Sequence, residues 1–94
     1  MLSKATKDKI IQKYRQHESD TGSSEVQIAI LTAEISELTK HLKQHKKDFS
    51  SRRGLLKKVA ERRRLLRYLK KDNEKSYEKL IEDLKIRVTS DDQT

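Results

Sequence analysis

Ile28, Leu31, Ile35, Leu38 and Leu42 alternate spacings of three and four residues, and Leu55, Val59, Arg62, Leu66 and Leu69 repeat the pattern after a short break. A side-chain row of that period lies along one stripe of an α-helix, whereas a strand needs alternation by two. The chain has no proline and only two glycines, Gly22 and Gly54, so it lacks the turn residues that a multi-stranded sheet requires. The pattern predicts an all-α protein whose two long central helices fold back as an antiparallel hairpin, seam against seam. Val26, Ile30 and Ala33 widen the apolar face of the first of these helices, and its seam extends to His45 and Phe49.

Local signals set the other boundaries. Ser3 or Thr6 caps a short first helix that carries Ala5, Ile10, Ile11 and Tyr14, too little apolar surface to stand alone, so it must dock. Glu18 to Ser24 has loop composition, and Ser24 with Gln27 makes the S-x-x-Q pattern of a capping box at the start of the second helix. The break at Phe49-Ser50-Ser51 offers Ser50 or Ser51 as cap of the third helix. Asp72 or Asn73 caps a fourth, marked by Tyr77, Leu80, Ile81, Leu84 and Val88. Residues 1–88 are thus expected to form a single domain of four helices, the short first and last docked on the hairpin, with Thr89 to Thr94 a polar, mobile tail.

Composition narrows the function. With 32% hydrophobic and 40% charged residues, only a thin core can be buried. The absence of cysteine excludes disulfides and thiolate metal sites. No window approaches the roughly 18 apolar residues of a membrane span, and Met1-Leu2-Ser3-Lys4 opens no secretory signal. Neither a glycine-rich phosphate loop nor a nucleophile paired with a base is present, so no enzyme and no cofactor is expected. His41 and His45 sit four apart but lack the acid of H-E-x-x-H, so no metal is expected there.

Charge is unevenly distributed. Lys40 to Lys71 holds fourteen Lys or Arg against Asp48 and Glu61, a formal +12, while the rest of the chain sums to −4. Along the third helix Lys57, Lys58, Arg62, Arg63, Arg64, Arg67, Lys70 and Lys71 have only Glu61 among them, so they repel one another unless an anion is bound. A solvated face would mix signs, and a helix lying on lipid would need the leucines that the partner helix takes. A nucleic acid is the favoured polyanion.

Three residues within the block cannot bind phosphate by charge. Tyr68 lies about 140° from the seam of the third helix, beside Lys57, Arg64 and Lys71, where it either packs on a short helix or stacks on a base or sugar. Asp48 either caps the third helix or accepts a hydrogen bond from a guanine amino group or a ribose 2′-hydroxyl in the shallow minor groove of RNA. His41, one heptad earlier, projects from the same side with Ser51 beyond, whereas His45 continues the seam as a packed or hydrogen-bonded histidine. Gly22 either supplies a positive φ in a plain loop or lets the backbone at Thr21-Gly22 approach RNA closely. The rival readings are a homo-oligomeric coiled coil and an architectural DNA binder.

The chain resembles a known family over roughly residues 1 to 88: the bacterial-type small-subunit ribosomal protein number fifteen. The resemblance rests on Asp20-Thr21-Gly22-Ser23, Val26-Gln27-Ile28-Ala29, His41 with His45-Lys46-Lys47-Asp48, Ser51-Arg52-Arg53-Gly54-Leu55-Leu56 and Arg63-Arg64-Leu65-Leu66-Arg67-Tyr68-Leu69. It implies a four-helix protein, free of catalysis and monomeric when unbound. Its implied partner is the central domain of small-subunit ribosomal RNA, bound early in assembly in the cytoplasm or in an organelle. Thr21, Gly22, Gln27, Arg64 and Tyr68 match residues at a three-way junction, and His41, Asp48 and Ser51 match those reading a minor-groove site in an adjoining helix. Arg52 and Arg53 join the RNA-binding set, and Lys46, Lys47, Lys57 and Lys71 are expected at phosphates.

By the same resemblance the hairpin tip reaches large-subunit RNA in an intersubunit bridge, the chain's own messenger is a further ligand, and other ribosomal proteins assemble beside it. Two departures stand out. Phe49-Ser50 occupies the place of two histidines in many members, and Asp91 and Asp92 make the tail unsuited to phosphate, so it is expected to lie away from RNA.

Overall fold

The computed structural model describes residues 2–16 and 22–86. In them four helices follow one another: α1 (Lys4–Tyr14), α2 (Ser24–Gln44), α3 (Phe49–Asp72) and α4 (Glu74–Leu84). The expected hairpin is present, with the most extensive packing between α2 and α3, while α4 rests mainly on α3 and α1 on α2. Thr21, Val88 and the expected tail from Thr89 to Thr94 lie outside the described residues.

Every helix starts on a side-chain cap, and the cap of α2 differs from expectation. Ser3 accepts from the Thr6 amide and Asn73 from the Ser76 amide, each as one of the two expected alternatives. For α2 the cap is Ser23, accepting from the Val26 amide, so the Ser24/Gln27 capping box does not form. Starting there puts Glu25 in the first turn, where the helix dipole favours a carboxylate. Glu25 also accepts a 3.1 Å hydrogen bond from the Ser76 hydroxyl, which ties α2 to α4.

For α3 the cap is Asp48, one of the two roles expected of it, and not Ser50 or Ser51. Its carboxylate is the stronger acceptor, and Ser51 in the third helical position becomes a donor to it. The seam also stops short of expectation, because the chain must leave α2 to turn at Lys46 and Lys47. His45 is therefore the exposed C-cap of α2, and Phe49, the first residue of α3, is 59% exposed.

The core sits at the opposite end of the hairpin. Ile28, Leu66, Leu69, Tyr77, Leu80 and Ile86 form one buried cluster, with Tyr14, Leu65, Ile81 and Leu84 packed against it. Leu42 and Leu55, towards the tip, are only half-buried. Ile86 was not expected inside. It arrives there because Lys85 takes the left-handed conformation (φ 54°, ψ 42°), with its N–H donating to Glu82 and the Ile86 N–H to Ile81. This is a Schellman stop whose apolar residue folds back on the helix, built here without the usual glycine signal.

Lys58 and Arg62 are among the basic residues of the charge block that meet partners on a neighbouring helix. The Lys58 ammonium lies 3.3 Å from the Glu34 carboxylate across the hairpin, and Arg62, half-buried in the seam, donates to the Thr32 hydroxyl at 3.3 Å. Counting along one helix cannot see acids and hydroxyls contributed by its neighbour, so the mutual repulsion inferred from sequence is overstated at these two positions.

Helix α1 contributes no buried residue, and Ala5 is exposed. Its anchor is Tyr14, whose hydroxyl donates to the Asp83 carboxylate at 2.5 Å, with Lys13 lying 4.0 Å from the same carboxylate. Burial, then the hydrogen bond and negative charge of Asp83, push the Tyr14 phenol up to about 12. Because the folded value lies above the unfolded one, the stabilisation is complete below pH about 10 and is lost as pH rises through 12. Tyr14→Phe is expected to cost about 1 kcal/mol at neutral pH and progressively less towards pH 12. Thermal melts of both proteins at several pH values check this, and a pH-independent difference contradicts it.

Candidate nucleic-acid interface

The turn from α2 to α3 brings His41 and Asp48 together. Nε2 of His41 lies 2.7 Å from Oδ2 of Asp48, the same oxygen accepts the Ser51 hydroxyl at 2.7 Å, and Oδ1 accepts the Ser51 amide at 3.0 Å. Asp48 therefore caps α3 and organises its neighbours at once. Donation from the Ser51 hydroxyl, then from its amide, then the contact with His41 hold the Asp48 carboxyl well below the usual carboxylate range. The His45 ring stacks 4.6 Å from that of His41, so the packing expected of His45 is against another histidine at the surface.

The tip around this network is cationic. Lys43, Lys46 and Lys47 line a shallow open hollow together with His41, His45 and Asp48. Arg52 donates to the Lys46 carbonyl at 2.9 Å, and Arg53 is exposed beside it on α3. Further along α3, Lys57, Arg64, Tyr68 and Lys71 are all exposed and fall within an arc of about 60° that faces away from Leu66 and Leu69. Tyr68 is 61% exposed, so it does not pack on a short helix.

At the other end of the hairpin, Gln27 donates from Nε2 to the Gly22 carbonyl at 2.6 Å, closing the turn that enters α2. Gly22 has no positive φ, and a Cβ there would meet nothing within 4 Å. The positive-φ reading of Gly22 is thus corrected, and the glycine leaves an open stretch of backbone. Thr21 lies outside the described residues. Ile28 packs with Leu66 and Leu69, which sets Gln27 level with Arg64 and Tyr68 along the hairpin. The structure brings His41, Asp48 and Ser51 together at the tip, while Arg64 and Tyr68 lie about 25 Å away along α3, near the core end.

Sequence reasoning missed that His41 and Asp48 touch each other, and that Arg52 lies over Phe49, 5.9 Å from the ring centroid. The seven-residue spacing pointed to the first contact. Nothing local pointed to the second.

Known proteins extend these observations. The family model described as ribosomal protein S15 matches residues 7–87. The small ribosomal subunit protein uS15 of Staphylococcus carnosus is 59% identical over 86 residues, covering 92% of this chain and 97% of its own length. Those of Carboxydothermus hydrogenoformans and Levilactobacillus brevis are 58% and 51% identical over the same shares. A match of this extent, on a four-helix fold with the expected hairpin, means that the chain belongs to the ribosomal protein S15 family.

Proposed function

We propose that the chain binds the central domain of small-subunit ribosomal RNA at two points, a three-way junction and the minor groove of an adjoining helix, and so fixes the angle between RNA helices early in assembly. Family membership makes it a structural, non-enzymatic constituent of the small ribosomal subunit. Its relatives are bacterial, which puts it with the ribosomes of the cytoplasm. Among the described residues no helix is long and apolar enough to cross a membrane.

The observation that carries the reading is the polarity of the tip network. Asp48 is an acceptor, the Ser51 hydroxyl donates to it and keeps its lone pairs, and His41 meets the same carboxylate through Nε2. A cluster of acceptors inside a cationic surface repels phosphate at that spot and takes donors instead. In the RNA minor groove those donors are guanine amino groups and ribose 2′-hydroxyls.

Gly22, Gln27, Arg64 and Tyr68, with Thr21, form the junction contact, where Tyr68 and Arg64 stack and Gln27 offers its carbonyl oxygen. Arg52, Arg53, Lys46, Lys47, Lys57 and Lys71 supply phosphate contacts. The seam leucines are used within this chain's own hairpin, which favours a monomer over a coiled-coil assembly. The same reading includes a bridge from the tip to large-subunit RNA, neighbouring ribosomal proteins, and the chain's own messenger as an alternative ligand.

Amide chemical-shift mapping tests the two-point claim. With a three-way-junction RNA, signals around Gly22, Gln27 and Tyr68 and those around His41 and Ser51 are expected to move together at one stoichiometry. With a continuous RNA helix only the tip signals should move. Movement confined to one group with the junction RNA contradicts the proposal.

A further inference from the structure

Phe49 is a large apolar ring at the hairpin tip, and it is left 59% exposed where α3 begins, beyond the end of the buried seam. Its neighbourhood is built. Arg52 lies over the ring with its guanidinium carbon 5.9 Å from the centroid, and the same guanidinium is tethered through Nη2 to the Lys46 carbonyl at 2.9 Å. The tether holds the guanidinium on one side of the ring, and the exposed Lys46 and Lys47 lie at the same turn. On α3, Phe49 and Ser51 are two residues apart, about 200° around the helix, so the ring faces away from the acceptor network of Asp48.

An exposed ring backed by a fixed guanidinium and flanked by ammonium groups suits one ligand class: an unpaired nucleobase with its phosphates. The base stacks on the ring and the cations take the backbone. A paired base inside a helix cannot reach such a surface, because both of its faces are already covered by its neighbours. An acidic protein segment would satisfy the charges but would leave the planar Phe49 and Arg52 arrangement unused.

We infer that Phe49, backed by Arg52, is a stacking platform for an unpaired RNA base, on the side of the tip opposite the minor-groove reader. The inference rests on the RNA-binding reading above and adds a second kind of recognition to the same hairpin: one side of the tip reads donors in a closed helix, and the other holds a base that has left one.

The experiment compares the full-length chain with Phe49→Leu and Phe49→Trp, each checked for unchanged helicity. The ligands are a single-stranded oligoadenylate and a ribose-phosphate oligomer of the same length without bases, at one salt concentration. Phe49→Leu keeps apolar bulk but removes the π-face, and is expected to weaken oligoadenylate binding roughly tenfold while leaving the abasic oligomer unaffected. Phe49→Trp should bind oligoadenylate at least as tightly as the parent. Ring-proton signals of Phe49 should shift upfield with oligoadenylate and stay in place with the abasic oligomer.

Equal binding of oligoadenylate by the parent and Phe49→Leu, with unmoved ring signals, overturns the platform while leaving RNA binding intact, and would hand the ring to a protein contact. Failure of the parent chain to bind any junction or duplex RNA would instead overturn the reading on which the platform rests.

Discussion

Asp48→Ala is expected to lower affinity for the junction RNA roughly ten- to a hundredfold, with the slope of log affinity against log salt kept at its parental value. The carboxylate is the hub of the tip: it holds Ser51 by two hydrogen bonds and His41 by one, and removing it disperses the group proposed to read the minor groove. No phosphate contact is lost, so the count of released counterions is unchanged. Lys57→Ala gives the opposite signature, a smaller loss on every RNA with a slope flatter by about one unit.

Capping has to be separated from reading, and Asp48→Asn does so. Asparagine is an equally good cap, yet its amide puts donors where an acceptor is needed, so α3 stays formed while RNA affinity falls. Circular dichroism and filter binding on the three variants check the set. Equal losses from Asp48→Ala and Lys57→Ala on a random duplex contradict this division of labour.

The pH dependence has a defined sign. The folded Asp48 carboxyl titrates below its unfolded value, so its ionised form favours the fold. That contribution is complete above the ordinary carboxylate range, about pH 4, and disappears as pH falls through the depressed folded value.

Ile28→Ala has the largest expected effect on stability, a loss of about 3 kcal/mol. Ile28 is fully buried at the meeting point of α2, α3 and α4, against Leu66, Leu69, Tyr77 and Leu80. Deleting its outer carbons leaves a cavity that three helices cannot close together. A domain of this size has about 5–15 kcal/mol to lose, so the variant should unfold at markedly lower denaturant concentration. Leu56→Ala is the matched control: Leu56 is 64% exposed on α3, and its truncation should change stability by less than about 0.5 kcal/mol. Urea titrations with fitted slopes compare the two, and similar midpoints would contradict the placement of the core.

Much of this was legible in the sequence because it is periodic. The spacing of Ile28, Leu31, Leu38, Leu66 and Leu69 named the hairpin and most of its buried face, and the same periodicity put Tyr68 with Arg64 and Lys57 on the outside. What escaped depends on contacts without a period. Ser23 and Ser24 are adjacent residues of one type, and no local pattern distinguishes Ser23, the cap, from its neighbour. Ile86 reaches the core through a left-handed lysine that no residue pattern announces. Lys58 and Arg62 read as free charges until Glu34 and Thr32 face them across the hairpin. At the candidate site, the residue types were readable and their mutual hydrogen bonding was not, and that bonding decides what the tip presents to a ligand.

The central claim is that a cationic hairpin selects RNA by shape and hydroxyl groups. Competition at fixed salt tests it most directly: labelled three-way-junction RNA held by the chain is challenged with unlabelled junction RNA and with duplex DNA of the same sequence. The account predicts that RNA displaces the label at concentrations near its own dissociation constant, while DNA requires at least about a hundredfold more, since it lacks the 2′-hydroxyl and the A-form groove. Displacement by DNA at equal concentration would contradict it and would leave the hairpin as a charge-driven binder of any nucleic acid.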